Sequence, residues 1–150
     1  MTDKAKGSEA VFEDALAAAV SRYYEASRRA LGRAFREHDI DISMEQWAVI
    51  TTLSERGPCP QGFLGERMHR DAPTTSRIID TMCRAGYVSR ESDPEDKRAH
   101  RVTLTRKGAD VKKKLLPVVK RLLKKMENGV SAGDLATTQR TLAKLVDKMS

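Results

Sequence analysis

The stretch from Gln61 to Arg106 constrains this chain more than any other part of it. It reads as two short helices, a turn, a strand, a charged tip and a second strand. The first short helix runs from Gln61 to His69 and turns Leu64 and Met68 inward. Arg70-Asp71-Ala72 makes the turn, and Pro73 opens the next helix, because a first-turn residue has no use for the N–H that proline lacks. That helix reaches about Ala85, with Ile78, Ile79 and Met82 facing the interior, and Gly86 stops it. Tyr87 to Arg90 reads as a strand, Asp93 to Arg98 as a charged turn, and Arg101 to Leu104 as the returning strand.

Two helices of that size and connection make a helix-turn-helix, a motif whose second helix lies in the DNA major groove. With three apolar positions committed to the core, Pro73, Thr74, Arg77, Thr81 and Arg84 turn outward. Arg77 is the expected base reader, since a guanidinium fork donates two bonds to a guanine edge. Thr74, Thr75 and Ser76 suit phosphates and base edges, and Arg84 suits the backbone. The tip is too short and too charged to bury. Its Arg98 fits a narrow minor groove, with Asp96 to hold the guanidinium extended. Arg90 and Lys97 complete the expected contact set. A plain helical hairpin and a solvated turn are the bland alternatives; tip, helix and basic balance together favour DNA.

The basic balance is 28 Lys and Arg against 21 Asp and Glu, a net charge of +7 with a pI near 9.6. That is the electrostatic footprint of a nucleic-acid binder, although a basic surface also serves solubility. At 150 residues, 39% hydrophobic and 33% charged, the chain reads as one helix-rich domain. No apolar run approaches the roughly 20 residues of a membrane span. Met1 to Ser8 is polar and reads as a frayed tail, which leads to the expectation of a cytoplasmic protein. Two cysteines, Cys59 and Cys83, are too few for a disulfide framework to organise the fold. His38, His69 and His100 are scattered without ligand spacing, so no metal or cofactor is expected. No nucleophile elbow, phosphate loop or paired-carboxylate site points to an enzyme.

The flanks are helical. Phe12, Leu16, Ala19, Tyr23, Ala30, Leu31, Ala34 and Phe35 recur at helical spacing from Glu9 to about Glu37. Ser43 caps a second helix carrying Met44, Trp47, Ala48 and Thr51 on one face, and Gly57-Pro58-Cys59-Pro60 stops it. Thr105 caps a long basic helix through about Met126, which Pro117 should kink. Its apolar stripe is Leu115, Leu116, Val119, Leu122, Leu123 and Met126, while its lysine runs read as a solvated face. Ser131 and Asp134 resemble a capping box at the head of a last helix through Met149.

Taken together, the runs Glu66-Arg67-Met68, Asp71 to Asp80, Gly86 to Arg90, Asp93 to Arg98 and Leu104-Thr105-Arg106-Lys107-Gly108 resemble the MarR family of winged helix-turn-helix repressors. Ser43 to Ile50 is similar to that family's second helix, and the likeness spans roughly residues 10 to 149. The Asp-Lys-Arg wing followed by Leu-Thr-x-x-Gly is its most specific part. The resemblance implies a mainly α fold with a small β wing, a DNA-binding lobe over 43–104 and dimerisation helices over 9–38 and 106–149. It implies a homodimer on a pseudo-palindromic operator, with Arg77 as base contact and Asp96 and Arg98 as the wing pair. Gly65 stands where the family usually has Ala, and Pro117 interrupts the long fifth helix.

Members of that family typically leave DNA when a small, often aromatic anion binds between arms and lobe. Tyr23, Tyr24, Arg28, Arg36, His38 and Trp47 would line that cleft here, although Tyr23 and Trp47 also lie on apolar stripes suited to core packing. Redox sensing through Cys59 or Cys83 is the rival input, set against buried, inert thiols. A non-sensing architectural DNA-binding protein is the third reading.

Overall fold

The computed structural model describes residues 15–92, 94–96 and 100–150. The expected start of the first helix at Glu9, with Phe12, and the tip residues Asp93, Lys97 and Arg98 lie outside the described residues. The chain forms two compact units, one up to Val119 and one from Lys120 to Ser150.

The first unit begins with α1 (Leu16–Arg36) and α2 (Met44–Arg56). Ser43 makes the full reciprocal cap that starts α2: the Gln46 N–H donates to Ser43 Oγ at 3.1 Å, and the Ser43 N–H donates to Gln46 Oε1 at 2.9 Å. Then come β1 (Cys59–Pro60), α3 (Gln61–Met68), α4 (Ala72–Arg84), β2 (Val88–Ser92) and β3 (His100–Leu104). The helix α5 (Arg106–Met126) starts in this unit and ends in the second, which also holds α6 (Ala132–Asp147).

The architecture is mainly helical with a small antiparallel sheet, as the sequence pattern implies, but the sheet has three strands in the order β1-β3-β2. The segment that reads as a simple helix stop supplies the extra strand. Cys59 pairs with Val102 and Pro60 with Arg101, two residues being too few to show any alternation in sequence. A second difference lies at the head of α4, which opens at Ala72 rather than Pro73. Asp71 is its cap, accepting the Thr74 N–H at 2.7 Å. A third lies at Ser131, whose hydroxyl accepts the Asp134 N–H at 3.0 Å. The same hydroxyl donates to Asp134 Oδ2 at 2.8 Å, where a full box would engage the Ser131 backbone instead.

One core gathers the elements of the first unit. Phe35 from α1, Ile50 from α2, Leu64 from α3, Ile79 and Met82 from α4, Val102 from β3 and Leu115 from α5 are all essentially sealed from solvent. Burying each such side chain stabilises the fold by about 1.5–3 kcal/mol. Ile78, expected beside Ile79, is only half-buried. In the second unit no residue of α6 is buried, and Leu123, Val130, Val146 and Met149 are exposed. α5 continues through Pro117.

The sheet and α5 are joined at a tight corner. The Thr105 N–H donates to the Tyr87 carbonyl at 3.1 Å, and the Thr105 hydroxyl lies 2.6 Å from the Gly86 oxygen and 3.0 Å from that of Tyr87. The same hydroxyl accepts the Gly108 N–H at 3.1 Å, capping α5. Gly108 is buried against the Tyr87 carbonyl with no room for a side chain. The Leu-Thr-x-x-Gly pattern therefore has a mechanical reason: threonine ties the helix start to the turn after α4, and glycine lets the two backbones meet.

Candidate nucleic-acid interface

α3 and α4 meet where Gly65 is buried against Thr75, whose hydroxyl would lie 2.7 Å from a Cβ at position 65. The glycine is thus a packing device that lets the two helices approach closely, and an alanine would push them apart. This close approach also decides the fate of Thr75. Expected to reach DNA, it is only 2% exposed, and its hydroxyl donates to the Asp71 carbonyl at 2.8 Å.

The outward face of α4 keeps the rest of the expected set in line. Pro73, Arg77, Thr81 and Arg84 are exposed, and Thr74 and Ser76 are partly so. Positions 74, 77, 81 and 84 follow helical three- and four-residue steps, so they form one ridge. Arg77 Nη2 donates to Thr74 Oγ1 at 3.2 Å, Thr81 Oγ1 donates to the Arg77 carbonyl at 3.0 Å, and Arg84 Nη2 donates to Thr81 Oγ1 at 3.2 Å. These exposed contacts order the arginines loosely along the ridge. The Asp71 carboxyl at its head is held below its usual range by the Thr74 N–H it accepts.

Arg90, expected among the contacts, is turned inward instead. From β2 its Nε donates to Gln61 Oε1 at 2.9 Å, its Nη1 pairs with Asp80, and its Nη2 donates to the Ser76 carbonyl at 3.2 Å. One guanidinium thus ties the wing, the start of α3 and the middle of α4 together. Sequence alone gave no signal for this, because its three partners lie 10 to 29 positions away. Lys107 adds a second brace, donating to the Ala85 carbonyl at 2.7 Å over the Tyr87 ring. In the wing, Val88 to Ser92 pairs with Leu104 to His100 residue by residue, and Asp96 is exposed near its end.

The turn between α3 and α4 is tied to the rest of the lobe by Arg70, whose Nη2 meets Glu45 Oε1 of α2 at 2.7 Å. Burial alone would push the Glu45 carboxyl up. The Arg70 guanidinium, a backbone N–H and the Ser43 hydroxyl outweigh it and hold that carboxyl below its ordinary value. A depressed folded-state value means the contribution is present above the unfolded carboxylate range and lost as pH falls through the folded one. Glu45→Gln should therefore narrow the loss of stability between about pH 5 and pH 3 relative to the parent chain, by roughly 1 kcal/mol or less. Urea titrations across that window will show it, and parallel curves for the two proteins would remove the assignment.

The six residues expected to line an effector cleft do not behave alike. Trp47 packs into the core against Phe35, ring centroids 5.7 Å apart, while Tyr23 is 62% exposed and Tyr24 is also exposed. His38 is half-buried, its carbonyl accepting from Lys114 Nζ at 2.8 Å. Arg28 and Arg36 line a cavity of about 590 Å³ between α1, the start of α2 and Thr81 of α4. Of the two cysteines, Cys59 is buried in β1, and burial pushes its thiol up against the opposing pull of Arg101 and Arg56. Cys83 is half-buried. Among the described residues no His, Cys, Asp or Glu cluster could hold a metal ion, and no helix is long and apolar enough to cross a membrane.

A short helix, a tight turn, an arginine-bearing helix and an antiparallel wing braced behind it define a winged helix-turn-helix lobe. Residues 42–100 match the model of the MarR family, a family of transcription regulators rather than enzymes. Over that segment the chain resembles the MarR family. It is 34% identical over 99 residues to the uncharacterized HTH-type transcriptional regulator YkoM of Bacillus subtilis, covering 60% of this chain and 64% of that one. The chain thus spans less than two thirds of that curated relative. Among solved structures, an E. coli MarR mutant complexed with operator DNA superimposes with a TM-score of 0.80 at 23% identity, over 87% of this chain and 92% of that one. Bordetella bronchiseptica BpsR, described with regulation of its DNA binding by 6-hydroxynicotinic acid, gives 0.81 at 19% identity, over 91% and 96%.

Proposed function

We propose that this chain is a transcriptional regulator that binds a pseudo-palindromic operator as a homodimer. The observation that carries this reading is the exposed ridge of Thr74, Arg77, Thr81 and Arg84 on a helix braced from behind by Arg90. A rigid helix with its arginines outward is what major-groove reading requires. Pro73, Thr74, Ser76, Arg77, Thr81 and Arg84 are its contacts from α4, and Asp96, Lys97 and Arg98 its contacts from the wing. The E. coli neighbour's complex with operator DNA supports duplex DNA as the partner.

The dimer is supported by apolar surface that a single chain leaves bare. Leu16, Val20, Tyr23 and Tyr24 are exposed on α1, and Leu123, Val130, Val146 and Met149 are exposed in the second unit. A helix such as α6 with no buried residue gains its stability from a partner rather than from propensity. Two such copies place recognition helices about one duplex turn apart, which matches a repressor on paired half-sites. Release by a small aromatic ligand is the mode of control this reading takes, on the strength of the BpsR neighbour. A thiol switch at Cys59 is the weaker alternative, since a buried thiol with a raised pKa forms little thiolate.

Arg77→Ala tests the proposal. Binding to a duplex selected by the full chain from a random-sequence pool should weaken by about 1–3 kcal/mol, with preference relaxed at one base pair per half-site. Anisotropy titrations against single-base variants of that duplex read both effects. Equal affinity of the parent chain for every duplex would instead indicate an architectural protein.

A further inference from the structure

We propose that the arginine-lined cleft beside α4 is a second phosphate track, gripping the DNA backbone that flanks the half-site. This rests on the DNA-binding reading above and extends the contact surface from the lobe onto α1. Among the described residues, Arg28, Arg29, Arg33 and Arg36 line the cleft with a single carboxylate, that of Asp41. Thr81 of α4 forms part of its wall, and Arg84 bonds that same threonine, so the ridge read as DNA-facing runs into the cleft without a break.

Three further features suit a polyanionic strand. Arg28 and Arg29 share Glu25 at 3.1 and 3.9 Å, whereas Arg33 and Arg36 have no ion pair among the described residues. From Arg28 to Arg36 the helix rises eight steps, about 12 Å at 1.5 Å each, which is longer than one anionic group and matches several phosphates at their spacing along a strand. Among the described residues no aromatic side chain lines the cleft, so its described walls offer charge rather than a surface for a ring. Gly32 leaves its floor open: a Cβ there would stand 3.3 Å from the Arg36 guanidinium. A glycine inside a helix is otherwise unfavourable.

The test is the salt dependence of DNA binding by an Arg33→Gln/Arg36→Gln double variant of the full chain, on the duplex selected by the parent. Both side chains are exposed, so the fold is expected to survive, with circular dichroism as the check. The slope of log K against log salt should fall by about 0.9 for each phosphate that the variant no longer neutralises, with sequence preference unchanged. Neutral methylphosphonate linkages in the flank should flatten the parent's slope and leave the variant's as it is. A parental slope in the variant, or equal effects of the neutral flank on both proteins, would overturn the track while leaving the Arg77 reading intact. If the variant keeps its slope but no longer responds to added inorganic pyrophosphate, the cleft is a small-anion site and the track is likewise overturned. No duplex binding by the parent chain would remove both readings.

Discussion

Gly108→Ala is expected to lower the melting temperature by roughly 10 °C, corresponding to about 3 kcal/mol for a chain of this size. A Cβ at this position would overlap the Tyr87 carbonyl oxygen and stand 2.5 Å from Leu104 Cδ1. The side-chain end of Leu104 can turn away, but the Tyr87 backbone oxygen cannot yield cheaply. The Tyr87 oxygen already accepts the Thr105 N–H at 3.1 Å and lies 3.0 Å from the Thr105 hydroxyl, so displacing it disturbs the cap of α5. Leu104 is the last residue of β3 and is paired with Val88. Gly62→Ala supplies the contrast, being helical with nothing within 4 Å of a new Cβ. It should be neutral or slightly stabilising, by about 0.4–1 kcal/mol. Calorimetric scans of both variants beside the parent decide the matter. A Gly108→Ala protein melting at or above the parent temperature would show that the corner is not the tight joint described.

Phe35→Ala should cost about 3–5 kcal/mol, the range for truncating a buried aromatic ring. Phe35 is 0% exposed and packs against Trp47 at a tilt of 44°, which mounts the end of α1 on α2. Its carbonyl also accepts the N–H groups of His38 and Ile40, at 3.0 and 3.1 Å, in the turn that ends the helix. The void can close only by shifting one helix against the other, and that shift would move the arginines of α1 relative to Thr81. Trp47 is the sole tryptophan, so its fluorescence reports this packing directly. Urea titration should show a lower midpoint and a redder native emission. A change below about 1 kcal/mol with unchanged emission would mean that the ring pair holds little of this joint.

The residues legible from sequence are those whose role is set by near neighbours. Ser43 and Thr105 cap helices because a hydroxyl three residues before a free N–H does so wherever it occurs. The ridge on α4 follows from helical spacing once its apolar positions are taken as core. Thr75 escapes that reasoning because its neighbour across the turn is a glycine, and the resulting close approach is a property of two helices together. Arg90 escapes it for the same kind of reason. A strand arginine looks solvated until Gln61, Asp80 and Ser76 are seen to converge on it. Tyr23 of α1 shows the limit from the other side: it lies on the apolar stripe yet is exposed, and a stripe alone does not tell what covers it.

The prolines around β1 have a further consequence for how this protein behaves at high concentration. A small sheet with an open border invites another chain to add its own strand and begin a fibrous aggregate. Here that border is two residues long, and Pro60 has no N–H to offer a newcomer. That edge of the small sheet is therefore a poor template for an added strand.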